Sequence, residues 1–328
     1  MSQPVGLYLP ASVIEIFRLS VWLMILVMIF VPLERLFATH PQKVLRKGIV
    51  TDLGYYFLSS LLPTVLLSVP VSLLAWAVNR TVPGGFLAVT AALPVWARAL
   101  AGLVAGEIGY YWGHRWSHEI PFLWRFHSIH HSAEEIDFLV NTRAHPIDMV
   151  FSRFCGLVPI YVMGLGGPVD PAGGIVPVLA TLIGTVWGFF IHANLRWRFG
   201  PLEWLISTPA FHHWHHTLNG PINRNYASTL PWLDRIFGTH YLPRKAWPAA
   251  YGIETKLPNS LAEQLVYPLL SQPTSLVPKD AVAAPSESLS YASSGGDPGI
   301  IAKIESLALL ESVEREGREA LIGRDEVS

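Results

Sequence analysis

The chain has 328 residues, 51% of them hydrophobic and only 14% charged, with 23 Lys+Arg against 24 Asp+Glu and a formal net charge of −1. Soluble globular chains carry about 25% charged residues and nucleic-acid binders a basic excess, so the composition argues against both. The mean hydropathy of +0.37, gathered in long apolar runs, points instead to an integral membrane protein. The single cysteine, Cys155, cannot form an internal disulfide or a cysteine-based zinc or iron–sulfur site.

The first apolar run, Val13 to Phe37, carries Glu15 and Arg18 near its start. A secretory leader puts its positive charges first and ends a shorter apolar core at a small-residue cleavage site. The run is therefore predicted to be a retained transmembrane helix. Leu53 to Val78 is a second span, interrupted by Pro63 and Pro70, which a membrane helix tolerates. Leu93 to Trp112 is a third, with Arg98 placed to snorkel outward from its beginning. A polar, histidine-rich stretch (113–148) follows. Two shorter apolar runs come next, Met149–Leu165 and Gly174–Ile191, joined by a connection rich in Gly and Pro. The first of them is short for the roughly 20 residues that a crossing takes. It is either a span or half of a re-entrant hairpin, and both return the chain to the same side. From Pro273 the composition turns to Ser, Pro, Ala and Gly, which bury too little apolar surface to offset chain entropy. Residues 273–328 are predicted to form a disordered tail, with a short amphipathic helix over 300–321.

Lys and Arg in the connections set the orientation. Arg35, Lys43, Arg46 and Lys47, then Arg115, Arg125 and Arg143, then Arg196, Arg198, Arg224, Arg235, Arg244 and Lys245 all fall on one side. Arg80 stands alone on the other, thirteen against one. The basic side is predicted to be cytoplasmic, with the C-terminus inside and the N-terminus outside.

That side also holds the clustered histidines, which are the anomaly of the composition: 13 imidazoles in an apolar chain. Ionisable groups within a membrane protein mark function by default. His114 and His118 stand four apart directly after the third span. His127, His130 and His131 follow, and His212, His215 and His216 repeat the same HxxHH spacing. Residues three and four apart share a helix face, so such imidazoles can meet on one metal. His192 ends the last apolar run, and His145 lies in Ala144-His-Pro-Ile-Asp148. A lone interfacial histidine is usually a packing residue. Packing does not gather eight of them at ligand spacing, because imidazoles are costly to bury and repel one another when protonated. Neutral imidazole suits zinc, copper, iron and nickel, and this many ligands exceeds what one metal uses. Two metals are the economical reading. Glu107, Glu119, Glu134, Glu135, Asp137, Asp148 and Asp234 are the carboxylates that could orient the rings. HExxH, the mark of many zinc hydrolases, is absent.

The boxes HRWSH (114–118), HSIHH (127–131), AHPID (144–148), HAN (192–194) and HHWHH (212–216), with Asn225-Tyr226 to Trp232-Leu-Asp-Arg235 and Phe237-Gly-Thr after the last, resemble the membrane-bound fatty acid hydroxylase/sterol desaturase superfamily. The resemblance covers roughly residues 95–245. It implies an all-α polytopic bundle of about four or five spans, with a cytoplasmic histidine-rich helical cap holding a di-metal site. It divides the chain into N-terminal spans (1–92), a catalytic domain (93–248), a short extension (249–272) and the tail. His114, His118, His127, His130, His131, His192, His212, His215 and His216 are the implied ligands. His145, Asp148 and Asp234 are implied as further ligands or as partners that orient them, while His40, His213 and His240 are bystanders. The implied cofactor is a pair of non-haem iron ions with O2 as co-substrate. The implied activity is hydroxylation or desaturation of a lipid (sterol, fatty acyl or ether lipid), with electrons from a separate haem or iron–sulfur carrier and no nucleic-acid partner. Aromatic residues at Trp112, Trp116, Phe122, Trp124, Phe126, Trp187, Trp204 and Trp214 are candidates to wall the substrate's path. Two rival readings are a di-zinc membrane hydrolase and a non-catalytic metal- or lipid-binding membrane protein.

Overall fold

A computed structural model describes residues 10–166 and 175–270. Among these the regular elements are all helices, and the extended pairing is limited to one isolated bridge between Thr217 and Tyr251. Three helices are long and apolar enough to cross a membrane: α1 (Ala11–Phe37), α2 (Ile49–Thr81) and α7 (Ile175–His192). α3 (Gly84–Ala91) and α4 (Val95–Glu119) add a fourth if the 117° bend between them is a break within one span. The apolar run Met149–Leu165 forms most of α6 (Pro146–Val162), whose 17 residues reach only about 26 Å at 1.5 Å per residue. That falls short of a hydrocarbon core of about 30 Å, so the structure supports three or four spans. The predicted tail and its amphipathic helix, and most of the Gly- and Pro-rich connection, lie outside the described residues.

Proline and capping chemistry start the helices that matter for the site. α4 ends at Ile120, whose extended backbone (φ −98°, ψ 116°) precedes Pro121, the first residue of α5 (Pro121–His131). Proline biases the residue before it away from helix and is itself pre-set for a first turn. The chain therefore turns sharply between the first two histidine boxes. α6 likewise starts at Pro146 and α8 (Pro209–His215) at Pro209, where the Thr208 hydroxyl accepts the Phe211 N–H at 3.4 Å.

α4 and α6 pack through glycine. A Cβ on Gly109 would collide with the Cys155 carbonyl, and one on Gly113 would stand 2.7 Å from the Cys155 Cβ. Small residues at such spacing let membrane helices approach closely. Here they bring the first box on α4 beside Asp148 on α6.

Candidate metal centre

The nine predicted ligands are all buried and converge as two groups. His114, His118, His127, His131 and His215 form one; His130, His192, His212 and His216 form the other. Within each, every ring offers a nitrogen within 4.8 Å of the rest. The HxxHH boxes do not each serve one group. Positions i and i+4 stay together, and the i+3 residue crosses to the other group. His127 and His131 join the first while His130 joins the second; His212 and His216 join the second while His215 joins the first. Helical geometry supplies the reason, since i+3 and i+4 project about 100° apart at 3.6 residues per turn. One short helix can thus face two centres.

Outer partners fix most of the rings. Nδ1 of His114 donates to the Tyr226 carbonyl at 2.7 Å, that of His215 to the Arg224 carbonyl at 2.7 Å, and that of His118 to Asn223 Oδ1 at 3.2 Å. His127 Nδ1 donates to Asp148 Oδ2 at 3.0 Å. In the other group, His130 Nδ1 donates to the Arg143 carbonyl at 3.1 Å and His192 Nδ1 to the Gly188 carbonyl at 2.7 Å. Each of these six partners can only accept, so Nδ1 carries the proton and Nε2 is a bare lone pair.

Those lone pairs face one another. His118 and His127 approach Nε2 to Nε2 at 3.1 Å, and His130 and His192 at 3.3 Å, with no proton available to lie between them. The Nε2 atoms of His114 and His215 are buried with no hydrogen-bond partner. Such an arrangement is unfavourable by itself and suits a cation that takes the lone pairs as ligands. Burial, followed by the neighbouring imidazoles, holds His130, His131, His212, His215 and His216 well below the ordinary histidine pKa. They are neutral at pH 7, as ligation requires. An all-imidazole donor set fits iron, zinc, copper or nickel.

Two loops carry four of the six outer partners, the others being Asp148 on α6 and the Gly188 carbonyl on α7. The first runs over 223–227, where Asn223 and Asn225 adopt left-handed backbone (φ 58° and 59°), a region that Asn tolerates better than most residues. The Asn225 side chain donates to the Phe211 and Tyr241 carbonyls and accepts from the Tyr241 amide. Asp234 accepts from the Tyr226 and Ala227 amides and the Thr239 hydroxyl, at 2.7, 2.9 and 2.6 Å. Asp234 therefore touches none of the nine rings; it holds the backbone whose carbonyl receives His114. The second loop contains Arg143 and is pinned by a buried ion network. Arg46 pairs with Asp52 and Asp137, each at 2.7 Å, and Arg143 with Asp52 at 3.0 Å. Two of these pairings, Arg46–Asp137 and Arg143–Asp52, join residues 91 positions apart, and no local spacing signals them.

Among the carboxylates considered from the sequence, Asp148 hydrogen-bonds a grouped histidine. Glu107 accepts from the Thr229 and Leu230 amides, and Glu119 pairs with Arg115. His145 stands in neither group: its Nδ1 accepts the Ile147 amide as the cap of α6, and its Nε2 donates to the Leu265 carbonyl. His213 Nε2 faces the Ala193 carbonyl and His40 Nε2 the Pro248 carbonyl, while His240 lies against Phe211. Of the candidate aromatics, Trp124 covers the first group, 5.2 Å from His118 and 5.6 Å from His131. Phe122, Trp116 and Trp204 are exposed. Tyr226, not anticipated as a wall, lies 5.2 Å from His118.

Residues 99–239, which contain both groups, match the family described as fatty acid hydroxylase. The chain is 35% identical over 177 residues to ornithine lipid hydroxylase OlsE of Rhizobium tropici, covering 53% of this chain and 51% of that protein. It is 35% identical over 140 residues to alkylglycerol monooxygenase of Xenopus tropicalis (42% and 29%) and 29% identical over 196 residues to methylsterol monooxygenase 2-2 of Arabidopsis thaliana (58% and 67%). The chain thus spans about half the length or less of the first two. No solved structure matches it. Residues 99–239 are thus a fatty acid hydroxylase domain, the domain this chain shares with relatives of the fatty acid hydroxylase/sterol desaturase superfamily.

Proposed function

We propose that this protein is a membrane-bound di-iron oxygenase that hydroxylates or desaturates a lipid, using O2 and electrons delivered by a separate carrier. The observation that carries the proposal is the pair of buried imidazole groups whose Nε2 lone pairs face one another. The relatives that bear the names lipid hydroxylase and monooxygenase support the choice of iron and O2 over hydrolytic zinc.

The five-histidine and four-histidine groups would each hold one iron. Bound iron supplies the reduction of O2 and the oxidation of an unactivated C–H bond. The chain's own residues do the rest. The carbonyls of Tyr226, Arg224, Arg143 and Gly188 orient four rings. Asp148 accepts the His127 proton at 3.0 Å and so raises that ring's basicity toward a metal. Trp124 and Tyr226 cover the first group and keep water from it. Helices able to lie in the bilayer leave the site at a position where an apolar tail could stay in lipid while its reacting carbon meets the histidines. The proposed catalytic domain is 93–248, on the cytoplasmic side, where the positive connections cluster.

Lipid profiling of cells with and without the gene under labelled O2 tests the reading. A label-bearing or newly unsaturated lipid that depends on the gene is the expected result. Purified protein that holds only zinc and consumes no O2 after ferrous reconstitution would overturn it.

A further inference from the structure

A second site lies outside the histidine groups. A cleft of about 970 Å³ opens between the turn Gly200–Trp204, the short helix α9 (Trp232–Ile236) and the segment 238–244. Its walls include Arg198, Arg235, Arg244, His240, Trp204 and Glu203.

The charges there do not cancel. Arg198 pairs bidentately with Glu203 at 2.9 and 3.0 Å and also donates to the Pro243 and Arg244 carbonyls. Asp234 is occupied by two amides and the Thr239 hydroxyl. Arg235 and Arg244 are left over. The Arg235 guanidinium lies flat on the Trp204 ring, 3.7 Å from its centroid, with Nε and Nη1 buried and without a hydrogen-bond partner. His240 Nε2 is likewise buried without one. Arg244 is exposed and makes no ion pair among the described residues. A planar guanidinium with unused N–H donors, beside a second free arginine, is the usual apparatus for gripping phosphate oxygens.

The surroundings say where that phosphate comes from. After α7 ends at His192 the chain folds back, and the Trp187 indole N–H donates to the Ser207 carbonyl at 3.1 Å. Trp187 lies five residues, about 7.5 Å, inside the end of that apolar helix. On the other flank Phe237 packs 5.1 and 5.0 Å from Tyr111 and Trp112, well before the end of α4. The rim of the cleft is thus drawn back toward the bilayer. It presents Leu202, Trp204, Leu205 and Ile236, each at least half exposed. Apolar side chains and a Trp beside unpaired arginines match a membrane interface better than the face of a soluble acidic protein.

We propose that this cleft binds the phosphate of an anionic phospholipid headgroup, with Arg235 and Arg244 on its oxygens and Leu202, Trp204, Leu205 and Ile236 set into the acyl region beside it. It is a lipid site separate from the oxidation centre, and it does not depend on which metal that centre holds.

The test uses the full chain purified in detergent, stripped of lipid and titrated with short-chain phosphatidylglycerol, short-chain phosphatidylcholine and inorganic phosphate, with bound lipid counted by native mass spectrometry. Phosphatidylglycerol should bind at least tenfold more tightly than the other two probes. Arg235→Gln with Arg244→Gln should remove that preference, and Lys43→Gln with Lys47→Gln, exposed lysines remote in sequence, should leave it intact. Arg244→Gln alone, at an exposed and unpaired position, should weaken binding severalfold without disturbing the fold. Equal binding by wild type and the double arginine variant overturns the proposal. So does inorganic phosphate that competes as well as the lipid, or an arginine-dependent loss confined to capture on a polyglutamate resin, which would assign the cleft to an acidic protein.

Discussion

The two histidine groups sit side by side and are built differently. The five-histidine group hangs on the 223–227 loop, through the Tyr226 and Arg224 carbonyls and the Asn223 amide, and has the one carboxylate contact, Asp148 to His127. The four-histidine group hangs on helix backbone and on the Arg143 loop, and two of its members, His212 and His216, have buried Nδ1 atoms with no partner. One half is therefore oriented by a side-chain carboxylate and a latched loop, the other by main-chain carbonyls and an ion network behind them. Each half should fail for its own reason.

The largest effect separates the groups by ligand removal. His215→Ala should empty the first group and His130→Ala the second, each lowering turnover to background and bringing bound metal from two equivalents toward one. Metal analysis beside turnover checks this, with detergent-solubilised yield as the control for insertion. Retained turnover in either variant removes that residue from the ligand set.

Next comes the ion network behind the second group. Arg46 is buried against Asp52 and Asp137. Removing one partner of a buried pair strands a charge and costs about 3–5 kcal/mol. Arg46→Ala should lower the unfolding midpoint sharply and loosen His130 through the Arg143 carbonyl. The exposed pair Arg115–Glu119 is the contrast, since surface pairs contribute about 0–1 kcal/mol. Equal losses from Arg46→Ala and Arg115→Ala would remove the distinction between the two supports.

A smaller effect belongs to the first group alone. Asp148→Asn keeps the shape and removes the charge that His127 donates to. Disturbing such partners typically costs about 10–100-fold in metal affinity or activity. The expected outcome is that loss in the first group, with metal in the second unchanged, read by competition with a chelator.

The sequence and the structure agree where the information is local. The spacing of His114/His118, His127/His131 and His212/His216 encodes a shared face, and the prolines at 121, 146 and 209 encode where the helices begin. What spacing could not show is the crossing of His130 and His215 to opposite groups, because that depends on how α5 and α8 are set relative to each other. Nor could it show that Asp234 serves a loop instead of a ring, or that Asp52, in the first turn of α2, pairs with Arg143 as well as Arg46. The Arg143 pairing is long-range. His145 shows the same limit: the Ala-His-Pro-Ile-Asp context reads as a histidine box, and in the structure its ring caps α6.

The smallest predicted effect concerns pH and bears on the second group through a histidine that is no ligand. His213 is fully buried between the Ala193 carbonyl, to which Nε2 donates at 3.1 Å, and the Tyr251 hydroxyl, 2.9 Å from Nδ1. It ties α8, which carries His212, to the chain just after His192. Burial pushes its pKa down to about 3 from the ordinary 6.5. A depressed histidine pKa means that the unfolded chain binds the extra proton first, so stability rises with pH in that range. The contribution is complete above pH 6.5 and is lost as pH falls from 6.5 toward 3, at about 1.4 kcal/mol per unit. Replacing His213 by Gln keeps a neutral hydrogen-bonding side chain that cannot titrate. Its melting temperature should start lower than wild type at pH 7.5 and fall less steeply between pH 6.5 and 5. Parallel slopes for the two proteins would show that the acid sensitivity of this half comes from the grouped histidines alone.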